Sequence, residues 1–320
     1  MAPKVDFWEI QALNRRKTFF LIFFLFVVFG LVGYLLDRYY LGSPAPFLTV
    51  VALVFASFES MVAFWVGDKI ILASVGAREV DLTNFKEKQL ANIVEELRLA
   101  SGLPPVRVYV MPSRNDLNAF ATGRNEKHAS IAVTRGLLEK MDREELQGVI
   151  GHELAHVRNR DILTMMVATV IFGAVIILSR IVLRGGFSWS GDERRRGGNA
   201  ALVLIGLVLA ILAPLFSRLL VLAVSRSREY MADAGSVEFT RNPEGLIQAL
   251  TKIAQEYEKS PLPKAVRRKT EALSHLFIYS PLEKRTRVTE SFWGNIWSTH
   301  PPLEKRIARL KVMAGTAMVG

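Results

Sequence analysis

Two histidines and a glutamate spaced along one turn of a helix carry the most specific chemistry in this chain. His152, Glu153 and His156 stand in GVIGHELAHVRNRD, residues 148–161, as an H-E-x-x-H pattern. Helical residues four apart lie on one face, so both imidazoles can reach one metal ion while Glu153 reaches a water beside it. That constellation suits metal-assisted hydrolysis, with Zn2+ as the ion and the glutamate as general base. The chain has no cysteine, so a thiolate site is excluded and any metal must take histidine and carboxylate ligands. The structural alternative is a buried helix whose two histidines are satisfied by hydrogen bonds.

A catalytic zinc needs a third protein ligand and an open fourth position. The candidates are His128, His275 and His300, or a carboxylate. REYMAD, residues 228–233, offers Glu229 and, one turn on, Asp233. Glu229 is placed to bind the metal, and Asp233 to accept a hydrogen bond from a ligating histidine and fix its ring. The same spacing is also common on solvated helices.

The elements that must position these groups are legible around them. Asp142 and Glu145 read as an N-cap and its capping-box partner, followed by Leu146, Val149, Ile150, Leu154 and Val157 at helical spacing. Gly148, Gly151 and Ala155 are small enough to let another element come close. Upstream, 82–100 is amphipathic and is stopped by Gly102-Leu-Pro-Pro. Residues 106–110 alternate as a strand, 118–123 (NAFATG) suggest a second and 130–133 a third. Downstream, Asn242-Pro243 opens a helix to about Tyr257, and His300-Pro-Pro precedes a last amphipathic helix bearing Leu303, Ile307 and Leu310. A small sheet beside helices is the expected picture.

The chain has 320 residues, half of them hydrophobic, and a net charge of +11. The apolar residues are concentrated. Residues 18–36 carry no charge and as a helix extend roughly 28 Å, enough to cross a hydrocarbon core. Residues 47–67 form a second span interrupted by Glu59; 162–183 and 200–217 are a second pair, the latter kinked by Pro214. The close second span favours a signal-anchor over a cleaved signal peptide. The expected organisation is an anchor over 1–67, the first part of the catalytic domain over 68–161, two further spans over 162–217, and the rest of the domain over 218–320. Basic residues before the first span place the N-terminus in the cytosol, and two spans return 68–161 to the same side. The Arg-rich stretch 184–199 runs against that rule, which leaves open a crossing pair or a shallow hairpin. Basic charge beside apolar spans fits a lipid bilayer as partner, and no nucleic-acid-binding signature accompanies it.

GHELAHVRNRD, two spans, then SREYMADAGS resemble the HtpX family of integral-membrane zinc endopeptidases, relatives of the CAAX prenyl proteases. The resemblance extends to RVYVMPSRNDLNAFATG, IAVTRGLLEKM and STHPPLEKRI. It implies an α-helical membrane protein with an α+β zincin-like (gluzincin) metalloprotease domain, mainly helical with a small β-sheet. It further implies one Zn2+ on His152, His156 and Glu229, Glu153 as catalytic base, and cytosolic cleavage of misfolded or damaged membrane proteins. His300, in the H-P-P context, becomes a candidate donor to the developing oxyanion, against a plain helix-start packing role. Arg306 on the following helix either supports it or pairs with an acid. Asn118, Ala119, Phe120 and Ala121 are candidates for an edge strand that grips extended polypeptide, against an ordinary core strand. His128 and His275 are read as structural. Two other readings stand beside this one: a processing protease for prenylated C-termini, and a non-catalytic membrane scaffold with a structural zinc.

Overall fold

The longest apolar runs of the sequence become the longest helices. The computed structural model describes residues 7–40, 42, 44–171, 173, 226–259, 276–278 and 301–315. Helix α1 spans Phe7–Leu35 and α2 spans Phe47–Ser74. Asp37 closes the hairpin between them: its carboxylate accepts from the Leu48 and Thr49 amides at 2.8 and 2.9 Å and from Thr49 Oγ1 at 2.7 Å. These bonds satisfy amides that open α2 and that no intrahelical carbonyl can reach. Both helices are long and apolar enough to cross a membrane, and most of each apolar stretch is exposed (33% and 17% buried). A helix in a water-soluble core would bury that surface; here Phe19, Phe23, Leu31, Val54, Phe58 and Trp65 face outward, as lipid-facing side chains do. Glu59 is buried in α2, and its carboxylate has no hydrogen-bond partner among the described residues.

Helix α2 runs past residue 67, the end expected from hydropathy, because Ile71 and Leu72 continue it beneath the sheet, where both are buried. A four-stranded mixed sheet follows, with strands β1 (Arg78–Glu79), β2 (Arg107–Met111), β3 (Ala119–Gly123) and β4 (Ala129–Thr134) in the order β1-β2-β4-β3. β2 and β4 are parallel and the outer pairs antiparallel. Helix α3 (Phe85–Ser101) starts later than its apolar pattern suggests, because Asn84 caps it by accepting from the Lys86 and Glu87 amides. It ends at Gly102, whose φ of 69° suits glycine.

Side-chain alternation gives the sheet two different neighbours. Val110, Ala119, Ala121, Ile131 and Val133 enter the larger hydrophobic core with α3 and with helices α5 (Arg143–Arg158) and α8 (Pro243–Lys259). Met111, Phe120 and Ala132 join a second cluster with residues of α1, α2 and α6 (Ile162–Ile171). The sheet therefore rests one face on the upper part of the membrane helices. A short α4 (Arg135–Lys140) leads into α5, whose capping box forms as its sequence predicts, with Asp142 and Glu145 bonding each other's amides. Helices α7 (Arg226–Thr240) and α9 (Leu303–Met313) complete the described α-helices. The expected span 200–217, half of 162–183 and the 184–199 connection lie outside the described residues.

α5 and α8 cross with almost no space between their backbones. A Cβ added to Gly148 would lie 2.5 Å from the Leu246 amide nitrogen, and one on Gly245 would lie 2.4 Å from the Glu144 carbonyl. Gly148→Val is expected to destabilise the fold by about 2–3 kcal/mol or more through overpacking against backbone. A thermal melt in detergent beside the wild type checks it; an unchanged midpoint would contradict so close a crossing.

Candidate metal centre

α5 delivers His152, Glu153 and His156 to one buried face, and α7 crosses it carrying Glu229. Small residues set the approach of the two helices. A Cβ on Gly151 would lie 2.9 Å from Ser236 Oγ, one on Gly235 would lie 2.6 Å from the Ala155 Cβ, and Ser236 Oγ donates to the Gly148 carbonyl at 2.7 Å. The Nε2 atoms of His152 and His156 stand 3.2 Å apart, and each is 3.7 Å from a Glu229 carboxylate oxygen. Four ligands arranged tetrahedrally at zinc-like bond lengths would be separated by roughly 3.3–3.6 Å. The three groups thus have the spacing of a ligand set.

The outer contacts fix which nitrogen faces that point. His152 Nδ1 lies 3.0 Å from Asp233 Oδ1, and His156 Nδ1 lies 3.0 Å from Asp161 Oδ2. An ionised carboxylate only accepts, so both Nδ1 atoms carry hydrogen and both rings turn Nε2 towards Glu229. The two Nε2 atoms, 3.2 Å apart in a dry interior, call for a positive charge between them, either a proton held by His156 or a metal ion. The donor set therefore fits a divalent metal ion.

The charges point the same way. Burial alone would lower His156, but Asp161, Glu229 and Glu153 outweigh it and raise it to about 9. His152 is lowered, with burial and then Arg306 acting against Asp233. Asp233 would be raised by burial, yet Arg306 and His152 hold it below the usual carboxylate range. Carboxylates thus exceed fixed cations around His156, and a bound cation would offset that excess. Burial, reinforced by Glu229, pushes the Glu153 carboxyl up to about 7, although the Ala121 amide hydrogen-bonds it. A carboxyl at that level can both take and return a proton near neutral pH.

Arg306 reaches in from α9 and is buried. Its Nε and Nη2 donate to the two oxygens of Asp233 at 3.0 and 2.7 Å, and its Nη1 donates to the Ile278 carbonyl at 2.9 Å. It also lies against the ligand residues themselves, with Nη2 3.4 Å from His152 Nδ1 and Nη1 3.9 Å from a Glu229 carboxylate oxygen. β3 is an edge strand of the sheet. Its alternate peptide groups face outward: the Ala119 carbonyl accepts from the Ile278 amide at 3.2 Å and the Ala121 amide serves Glu153. The side chains of this stretch turn inward. Asn118 bonds Asp116 and Tyr257, and Phe120 packs edge-on against Phe277. What β3 presents at its edge is backbone. His300 and His275 lie outside the described residues, and His128 is exposed and bonded to Asn125.

Sequence reasoning did not single out Asp161, although it closes the quoted motif five residues after His156. Its signal was an acid placed directly before an apolar run, where an unpaired charge would be costly. Arg228, whose Nε lies 3.6 Å from Asp161 Oδ2, and Ile278 carried no comparable signal.

The profile of Peptidase family M48 matches residues 84–314. A protease HtpX homolog of Caldanaerobacter subterraneus subsp. tengcongensis is 42% identical over 313 residues, covering 96% of this chain and 98% of that protein. One from Thermoanaerobacter pseudethanolicus is 41% identical over 311 residues, covering 95% and 97%. Among solved structures, that of S. mikatae Ste24p matches with a TM-score of 0.50 at 14% identity, over 94% of this chain and 66% of that one, a likeness of fold.

Asp161→Asn and Asp233→Asn should each weaken metal binding by about 10- to 100-fold, because each removes the charge that orients and polarises a ligand ring. Competition with a chromogenic chelator measures it. Wild-type affinity in both variants would rule out this two-carboxylate support.

Proposed function

This chain belongs to peptidase family M48 and is a metalloprotease, and on that premise we propose that it is a membrane-embedded, zinc-dependent endopeptidase acting in protein quality control. One observation carries the reading: two imidazoles and a carboxylate from separate helices converge with the spacing of a metal ligand set, beside a buried glutamate in contact with an edge strand. The ligands in this proposal are His152, His156 and Glu229. When bound, one zinc ion would supply Lewis-acid activation of water and of the scissile carbonyl.

The chain's own residues supply the rest. Glu153 takes the proton of the attacking water and returns it to the leaving amine, as its raised pKa suits. Asp233 and Asp161 hold the two rings, and Arg306 holds Asp233. Residues 118–121 pair with an extended substrate chain through outward peptide groups other than the Ala119 carbonyl, held by Ile278, and the Ala121 amide, held by Glu153, a mode of grip indifferent to side-chain identity. His300 is proposed as the donor to the oxyanion. Non-specific backbone pairing suits misfolded or damaged polypeptides, and the two apolar helices beneath the sheet suit substrates of the same membrane. The basic residues preceding the first span support a cytosolic N-terminus and a cytosol-facing site. The segments 68–161 and 218–320 act as one catalytic domain, a division supported by ligands drawn from both.

A structural-zinc scaffold would have no use for Glu153 and would close its fourth position with a protein ligand. Among the described residues the cluster holds three ligands. The discriminating experiment compares wild type, Glu153→Gln and Glu229→Ala, purified in detergent, for metal content by mass spectrometry and for chelator-sensitive casein cleavage. Wild type and Glu153→Gln should hold one zinc per chain, Glu229→Ala much less. Cleavage should fall by about 10²- to 10⁴-fold in Glu153→Gln. Near-full activity in that variant would refute the assigned base, and zinc without cleavage in the wild type would favour the scaffold.

A further inference from the structure

The family profile begins at residue 84, but the support of the metal centre reaches back to α1. Asp161, which holds His156, lies in the short link between α5 and α6. The backbone of that link is held against its preference: Arg160 has a φ of +57°, which side-chain-bearing residues seldom adopt unless the surroundings impose it. Two polar contacts from α1 bracket Asp161. On one side, Asn14 Nδ2 donates to the Asn159 carbonyl at 3.2 Å. On the other, Thr164 Oγ1 donates to the Asn14 carbonyl at 3.2 Å and lies 2.8 Å from Thr18 Oγ1. Asn14, Thr18, Asn159 and Thr164 are all buried.

A helix that serves only as an anchor needs an apolar surface and nothing more. Burying polar side chains where it enters the membrane is unfavourable unless they are bonded, and here they are bonded to the link that carries Asp161. Leu21, Leu25 and Val28 of α1 then share an apolar cluster with Met165, Ala168 and Ile171 of α6, extending the same seam into the membrane region.

We propose that Asn14 and Thr18 are positioning residues of the metal centre. Through Asn159 and Thr164, α1 fixes the link so that Asp161 meets His156 Nδ1 and aims its Nε2 at the ion. The first membrane helix is then a working part of the active site, outside the segment that defines the family. This inference rests on the metal-ligand reading of the site.

The test uses the full-length protein in detergent, with Asn14→Leu, the isosteric Thr18→Val, the conservative Thr18→Ser, and Phe23→Leu on the exposed face of α1 as control. Three quantities are read: zinc affinity by chelator competition, the visible absorption of the cobalt-substituted protein, and kcat separately from KM. Asn14→Leu and Thr18→Val should lose about threefold to tenfold in affinity, less than the loss of a carboxylate that bonds a ligand directly. They should shift the cobalt spectrum and lower kcat more than they raise KM. Thr18→Ser and Phe23→Leu should match wild type. If Asn14→Leu does not fold, Thr18→Val decides alone.

Wild-type affinity and spectrum in Asn14→Leu and Thr18→Val would overturn the proposal and leave α1 an anchor. Equal losses in Phe23→Leu would overturn it too, by marking general destabilisation. A wild type that holds no metal would instead remove the ligand site itself, and the positioning role with it.

Discussion

The close contact of α5 with α7 is the constraint on which the rest depends. Glu229 can share a metal with His152 and His156 only if the two helix backbones approach to the distance that Gly151, Ala155, Gly235 and Ser236 permit. The hydroxyl of Ser236, bonded to the Gly148 carbonyl, fixes the register of one helix on the other. On the next face α5 meets α8 just as closely at Gly148 and Gly245. α5 is thus clamped on two sides, by small side chains of α7 and by the backbone of α8, with little freedom to slide. Ligand atoms must be held to a few tenths of an ångström, and close-packed backbone provides that rigidity better than long side chains do.

Around this helix pair the charges are arranged in layers. Each imidazole is held by a carboxylate, and each carboxylate has an arginine beside it: Arg306 bonds Asp233, and Arg228 approaches Asp161. Buried ions this dense are tolerated only when each has a partner, so the layers stand or fall together. They also tie distant parts of the chain to one point. α9 reaches Asp233 through Arg306, the 276–278 segment reaches Arg306 and the edge of β3, and β3 reaches Glu153 through the Ala121 amide. Glu153, strand edge and ligand shell are thereby mechanically connected.

The sheet links this centre to the membrane region. One face of its strands belongs to the catalytic core and the other packs on α1, α2 and α6. The polar residues at the start of α1 add a second link, directly to the segment that follows the metal helix. Catalytic domain and membrane helices therefore share a packed interface.

Much of this was legible in the sequence because it is local. The H-E-x-x-H spacing needs only helical periodicity to place two imidazoles on one face, and the Asp142–Glu145 capping box formed as its residues predicted. The first span followed from uncharged length and the second from a long apolar run broken only by Glu59, strand β2 followed from alternation, and the small residues of α5 announced a close neighbour without naming it. What the sequence did not hold was the identity of partners across long separations. Spacing alone offered Glu229 as one candidate among several, and the family resemblance, rather than periodicity, singled it out. Asp161 looked like the end of a motif and is the support of His156; Asn14 and Thr18, which the sequence did not single out, bracket that support. Arg306 was open between two roles until Asp233 came within 2.7 Å of it. The physical reason is the same throughout. Local pattern is set by backbone geometry within a turn or two, whereas which carboxylate meets which imidazole is set by the packing of helices far apart in the chain, and only the folded structure decides that.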